Sequence, residues 1–232
     1  MAQSLLTCIA TYNQLIKMKK ISFILIALFI SNFYSVNAQT DPNADVILKA
    51  VSAKYKSYKT LSASFKLVID NEKEKTKENQ TGNITIKENK YKLEMDGQEV
   101  ISDGKTIWTF LKEENEVQIN DATTKKDAIT PSSIFTIYEK GFKSKYIGEK
   151  TEAGKTIQQI ELVPEDAKKP YFKIQLYINK EDKYVASAKV LNRNAIHLSY
   201  AVDKFSPDAP ADDALFTFDK AKHPGVEVVD LR

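Results

Sequence analysis

The chain has 232 residues, enough for one generous domain with its own core. Aromatics make up 10% of it, with 11 Phe and 11 Tyr, and Gly and Pro number only seven each, which excludes a disordered or low-complexity composition. The formal charge of +3 comes from Lys17, Lys19 and Lys20 alone; the remainder carries 31 basic and 31 acidic residues, a balance without a basic stripe that gives little reason to expect a nucleic-acid partner, and the single Cys8 excludes an internal disulfide.

Ile21 to Ile30 is the one long apolar run. It follows Lys17-Met18-Lys19-Lys20 and precedes Val36-Asn37-Ala38, the layout of a secretory signal peptide over residues 18–38 with cleavage after Ala38. The run is shorter than the roughly 20 residues of a membrane span. Met18 reads as the better start, so residues 1–17 are expected to be an over-long beginning. The mature region, 39–232, is expected to be a single exported domain.

Asp41-Pro42 supplies an N-cap and a first helical residue, and Ile47, Ala50, Val51, Lys54, Tyr55 and Tyr58 recur at helical spacing, which predicts a helix from Pro42 to Tyr58. Leu61 to Ile69 alternates as a half-buried strand. Asp70 to Gln80 mixes charges and amides and reads as a solvated hairpin loop. Ile84 and Ile86, then Tyr91, Leu93 and Met95, predict two more strands around Glu88-Asn89-Lys90, with a turn at Asp96-Gly97.

Val100 to Leu111 reads as a hairpin about Ser102-Asp103-Gly104. On its outgoing strand Trp108 and Phe110 share one face, and Ile107 and Leu111 the other. A strand apolar on both sides needs cover on both sides, or a cavity on one. After a short strand at Val117 and Ile119, Thr130-Pro131 begins a helix with Ile134, Phe135, Ile137 and Tyr138 on a broad apolar face, ended by Gly141.

Strands then return: Tyr146-Ile147, Thr156 to Val163, Tyr171 to Ile178, Val185 to Leu191 and Ile196 to Val202. Phe216 with Phe218, and Val226 with Val228, alternate on either side of His223-Pro224-Gly225. Ten or eleven short strands between turn signals predict a mainly β, antiparallel fold that curls around its two helices.

The stretch Ser102-Asp103-Gly104-Lys105-Thr106-Ile107-Trp108 and the tail Phe216-Thr217-Phe218 with His223-Pro224-Gly225-Val226-Glu227-Val228 resemble the LolA family, periplasmic carriers of outer-membrane lipoproteins. The order of signal, helix, strands, Pro-started helix and strands agrees as well. The resemblance spans nearly the whole mature chain. It implies an unclosed antiparallel β-barrel of about eleven strands with an α-helical lid on its concave side, acyl chains held between them, and no catalysis.

The partners it implies are acylated lipoproteins as cargo, an inner-membrane ABC-type lipoprotein-releasing complex and an outer-membrane acceptor, with the carrier a monomer. The family's Arg-Pro pair after the second strand is absent here; the stretch reads Ile86-Lys87-Glu88-Asn89-Lys90-Tyr91, and Lys87 or Lys90 stands where that lid latch would be. The alternative reading is a carrier or sensor for free lipids or glycolipids.

A carrier needs an apolar cavity, because each acyl CH₂ is worth about 0.8 kcal/mol when buried. The residues expected to line it are Phe65, Leu67, Ile84, Ile86, Tyr91, Leu93, Trp108, Phe110, Phe172 and Ile174 from the sheet, and Ile134, Phe135, Ile137 and Tyr138 from the lid. Enzyme signals are missing: His197 and His223 lack partners at ligand spacing, Asp212-Asp213 reads as loop solvation, and there is no Gly-rich phosphate loop. No cofactor or metal is expected.

Overall fold

The computed structural model describes residues 41–122 and 137–232. Asp41 starts the first element. Its Oδ1 accepts from Asn43 N at 2.9 Å as an N-cap, its Oδ2 accepts from Tyr146 N at 3.1 Å, and its own N–H donates to Ser144 O at 3.1 Å. One residue thus begins the helix and fixes it to a strand. Pro42 takes the first helical position, and α1 runs Pro42–Ser57 with Tyr58 as C-cap.

Twelve strands follow: β1 Leu61–Asn71, β2 Thr76–Lys87, β3 Lys90–Met95, β4 Gln98–Ser102, β5 Thr106–Leu111, β6 Glu116–Asp121, β7 Phe142–Glu152, β8 Lys155–Pro164, β9 Tyr171–Asn179, β10 Val185–Asn192, β11 Ile196–Pro207 and β12 Glu227–Asp230. They form one open sheet in the order β12-β6-β5-β4-β3-β2-β1-β11-β10-β9-β8-β7. The family-like expectation of a β fold that stops short of closure is met. All the ladders are antiparallel except β12 on β6, which is parallel.

Three sequence readings need correction. Residues 70–80 are mostly strand, not loop: β1 and β2 continue past the apolar run, and Asp70 and Lys77 face each other with a 3.1 Å ion pair. Opposite charges in register let a polar ribbon pair. Phe216 lies in a 3₁₀ turn, Asp213–Phe216, because Asp212 caps it by accepting from Ala214 N at 2.8 Å. The helix expected from Thr130 lies largely outside the described residues; its described end is a 3₁₀ turn, Ile137–Glu139, before Gly141 at φ +77°.

Register defines the faces. The positions carrying Leu61, Ala63, Phe65 and Leu67 continue across β2 as Ile86, Ile84 and Gly82, across β3 as Tyr91, Leu93 and Met95, and across β4 as Ser102 and Val100. None of these is charged. In the other direction they continue through Val202, Tyr200 and Leu198 of β11 to Ala188 and Val190, then Leu176 and Ile174, then Ile160 and Leu162. This is the inner face, because α1 packs on it: Ala44, Leu48 and Val51 share a core with Ile160, Leu162, Ile174, Leu176 and Val190. The outer face of the same strands is polar, with Lys173 and Gln175 both bonded to Glu161.

At Phe65 the inner face meets a glycine. A Cβ at Gly82 would stand 2.5 Å from the Phe65 ring and 3.0 Å from Glu94 O. Gly82→Ala is therefore expected to displace that ring and cost about 1–3 kcal/mol. Urea unfolding checks it, and an unchanged midpoint contradicts the close approach.

Candidate functional site

The inner face divides into two clusters. The one under α1 is filled by the helix, together with Tyr138. The second comprises Ala63, Phe65, Leu67, Ile84 and Leu93, with Ile69, Ile86, Tyr91, Met95, Val100, Leu198, Tyr200 and Val202 against it. No residue of α1 belongs to this second cluster, and its members among the described residues come from the sheet. Ile86, Leu198 and Tyr200 touch both, so the apolar surface is continuous. Burial pushes the Tyr200 phenol up to about 12, keeping it uncharged at any physiological pH.

Of the residues expected to line a cavity, Phe65, Leu67, Ile84, Ile86, Tyr91 and Leu93 come together here, while Ile174, Ile137 and Tyr138 join the α1 cluster. Ile134 and Phe135 lie outside the described residues. Trp108 and Phe110 do not join either group. Trp108 pairs with Ile101, and Ile101 with Lys92, which places them on the outer face. There Phe110 and Val117 are covered by Val226 and Phe218; the His223 ring sits 4.3 Å from Phe110 and stacks on Phe218 at 4.7 Å. The strand is indeed covered on both sides, and the tail is the outer cover.

Phe172 is also on the wrong side for a lining role. The ladder shifts register at Leu191/Asn192, so Tyr171, not Phe172, turns inward; Tyr171 is buried and stacks on Phe142, while Phe172 is 39% exposed beside His197. The sequence reading misses Tyr200, Leu198 and Val202, although their alternation in β11 signals the face.

The two lysines at the expected latch position are engaged elsewhere. Lys87 Nζ and Lys90 Nζ stand 3.0 and 3.1 Å from the same Asp213 Oδ1, and hold its carboxyl below the usual carboxylate range. They fasten the tail to the β2–β3 hairpin.

A different contact ties the 137–139 turn to α1. Glu139 accepts from the Ser52 hydroxyl and pairs with Lys56 Nζ at 2.8 Å. The Lys56 ammonium and then the Ser52 hydroxyl hold the Glu139 carboxyl below its ordinary value of 4.5. With the folded pKa below the unfolded one, the bridge contributes in full above about pH 4.5 and is lost as pH falls through the lower folded value. Glu139→Gln is expected to flatten this acid-side dependence. Thermal melts of both proteins from about pH 7 to about pH 3 check it, and parallel curves contradict it.

Between α1 and this segment lies a cleft of about 590 Å³, bordered by Leu48, Ser52, Lys56, Tyr138, Glu139 and Phe142 among others. Of the residues expected to line the cavity, Tyr138 borders this cleft. Among the described residues no group of His, Cys, Asp and Glu could hold a metal ion, and no helix is long and apolar enough to cross a membrane.

Residues 56–219 match the model of the family described as outer membrane lipoprotein carrier protein LolA. The chain is 27% identical over 195 residues to an uncharacterised protein of Methanocaldococcus jannaschii, a match that takes in 82% of this chain and 56% of that protein. It is similar in fold to an uncharacterised conserved protein of Thermus thermophilus, at TM-score 0.56 and 14% identity, over 81% of this chain and 99% of that one. A LolA superfamily protein of Nitrosomonas europaea aligns at TM-score 0.42 and 10% identity, over 76% and 98% of the two chains.

Proposed function

Given that the chain belongs to the LolA family, we propose that it is a periplasmic chaperone that holds the acyl chains of lipoproteins and carries them from the inner to the outer membrane. The observation that carries this reading is the second cluster of the inner face. Phe65, Leu67, Ile84 and Leu93 form an uncharged apolar cluster, each only 2–6% exposed, contiguous with the core under α1 yet without α1 residues. Alkyl chains inserted into that buried cluster would leave the α1 core in place. The role is binding without catalysis. An inner-membrane releasing complex would load the protein and an outer-membrane acceptor would unload it, with the periplasm between.

One observation favours a broader cargo. The positions of the family's latch are committed to Asp213 of the tail, so whatever holds acyl chains in place here differs from the Arg-based device. Free lipids or glycolipids are then a second reading.

The test is to incubate the purified protein with membranes carrying a radiolabelled triacylated lipoprotein and to count label in the soluble fraction. Stoichiometric release into a soluble complex is expected. Release no greater than with buffer overturns the carrier role, and mass spectrometry finding only free lipids in the purified protein would support the second reading.

A further inference from the structure

Helix α1 presents two neighbouring stripes. Ala44, Leu48 and Val51 face the sheet. A step round the helix, Asp45, Lys49, Ser52 and Lys56 recur at spacings of three and four and border the 590 Å³ cleft instead. A volume of that size is typical of a small-molecule site. Its surface is of two kinds. Buried Leu48 and the half-buried Phe142 ring make its apolar floor, with the exposed Ala53 at the rim, while Lys49, Lys56 and Lys140 outnumber Asp45 and Glu139 around it.

The charges are not equally available. Glu139 is already satisfied by Ser52 and Lys56. Lys49 pairs with Asp45 at 2.7 Å but keeps 75% of its side chain exposed, and Lys140 is exposed as well. An apolar floor with surplus positive charge at its mouth selects a ligand with a short alkyl chain and an anionic head.

We propose that the cleft between α1 and residues 137–144 binds a single-chain anionic amphiphile, its head met by Lys49 and Lys140 and its chain lying over Leu48, Ala53 and Phe142. This site is separate from the Phe65–Leu93 surface, and it rests on the lipid-binding reading only for the class of ligand. The two exposed lysines make the head-group end the point of discrimination.

Calorimetric titration of the full chain with sodium laurate, and with monolaurin as its uncharged counterpart, tests the assignment. The double variant Lys49→Glu/Lys140→Glu is expected to bind laurate about tenfold more weakly while monolaurin changes little. Ala53→Trp, which narrows the cleft from its rim, is expected to weaken both. Absence of laurate binding by the parent, or equal laurate affinity in the double variant, overturns the proposal. Capture of a triacylated lipopeptide, measured on the same samples, keeps the two readings apart. The charge-reversed protein should still capture it, and a parent that binds laurate but captures no lipopeptide loses the carrier role while keeping the cleft.

Discussion

Phe65→Ala will lose most of its affinity for a fluorescent triacylated lipopeptide, whereas Trp108→Ala will bind it like the parent. Both residues are large aromatics in strands of the same half-sheet, and the sequence assigns both to one cavity. Register separates them. Phe65 stands among Leu67, Ile84, Tyr200 and Val202 on the inner face, while Trp108 packs with Phe110 and Val226 under the tail. Removing the Phe65 ring withdraws about 2 kcal/mol of apolar contact from any chain laid on that face, a loss of roughly thirtyfold in affinity. Fluorescence anisotropy measures it, with circular dichroism to confirm that both variants are folded. The reverse pattern, with Trp108→Ala impaired and Phe65→Ala intact, would put the cargo on the outer face.

The largest stability loss should come from Leu176→Ala. Leu176 is fully buried, sits between Ile160 of β8 and Ala188 of β10, and lies in the core shared with α1. Its strand neighbours cannot collapse into the gap without breaking two ladders, so a cost of about 2–5 kcal/mol is expected, or a fall in Tm of very roughly 5–15 °C for a domain of this size. Lys189→Ala, in the neighbouring β10 on the polar outer face, is the control and should lie within about 0.5 kcal/mol of the parent. A loss below about 1 kcal/mol for Leu176→Ala would mean that α1 does not close over this core.

Much of the architecture is legible in the sequence because it is local. Asp41-Pro42 writes a helix start, and period-two alternation writes strands. Gly97 and Gly104 take positive φ at two of the expected turns, and at Ser102-Asp103-Gly104 the Asp103 carboxylate accepts from the N–H groups of Lys105 and Thr106 at 2.8 and 2.7 Å. Cross-strand arrangement is not legible. Alternation says that Trp108 and Ile107 point oppositely, but with apolar groups on both sides of β5 nothing local says which side meets α1. The Tyr171/Phe172 exchange depends on a bulge whose other half lies in the next strand, at Leu191/Asn192. The tail resists prediction for a related reason. Its aromatic alternation looks like a strand, but Asp212 and Asp219 cap 3₁₀ turns there, and the parallel pairing of β12 with β6 has no signature in either segment.

The strand order also dictates how assembly can proceed. Ladders β1 to β6 and β7 to β11 each join successive segments through short turns, so either block can zip up alone within microseconds to milliseconds. The seam between β1 and β11 is different, because it unites residues 61–71 with 196–207. Until it shuts, Phe65 and Tyr200 have no common surface, and β1 and β11 both remain open edges able to recruit a stranger's strand. A chain halted before Leu198 would keep the core that α1 shares with β8 to β10, but it would leave its two half-sheets unjoined and the β1 edge open to another strand.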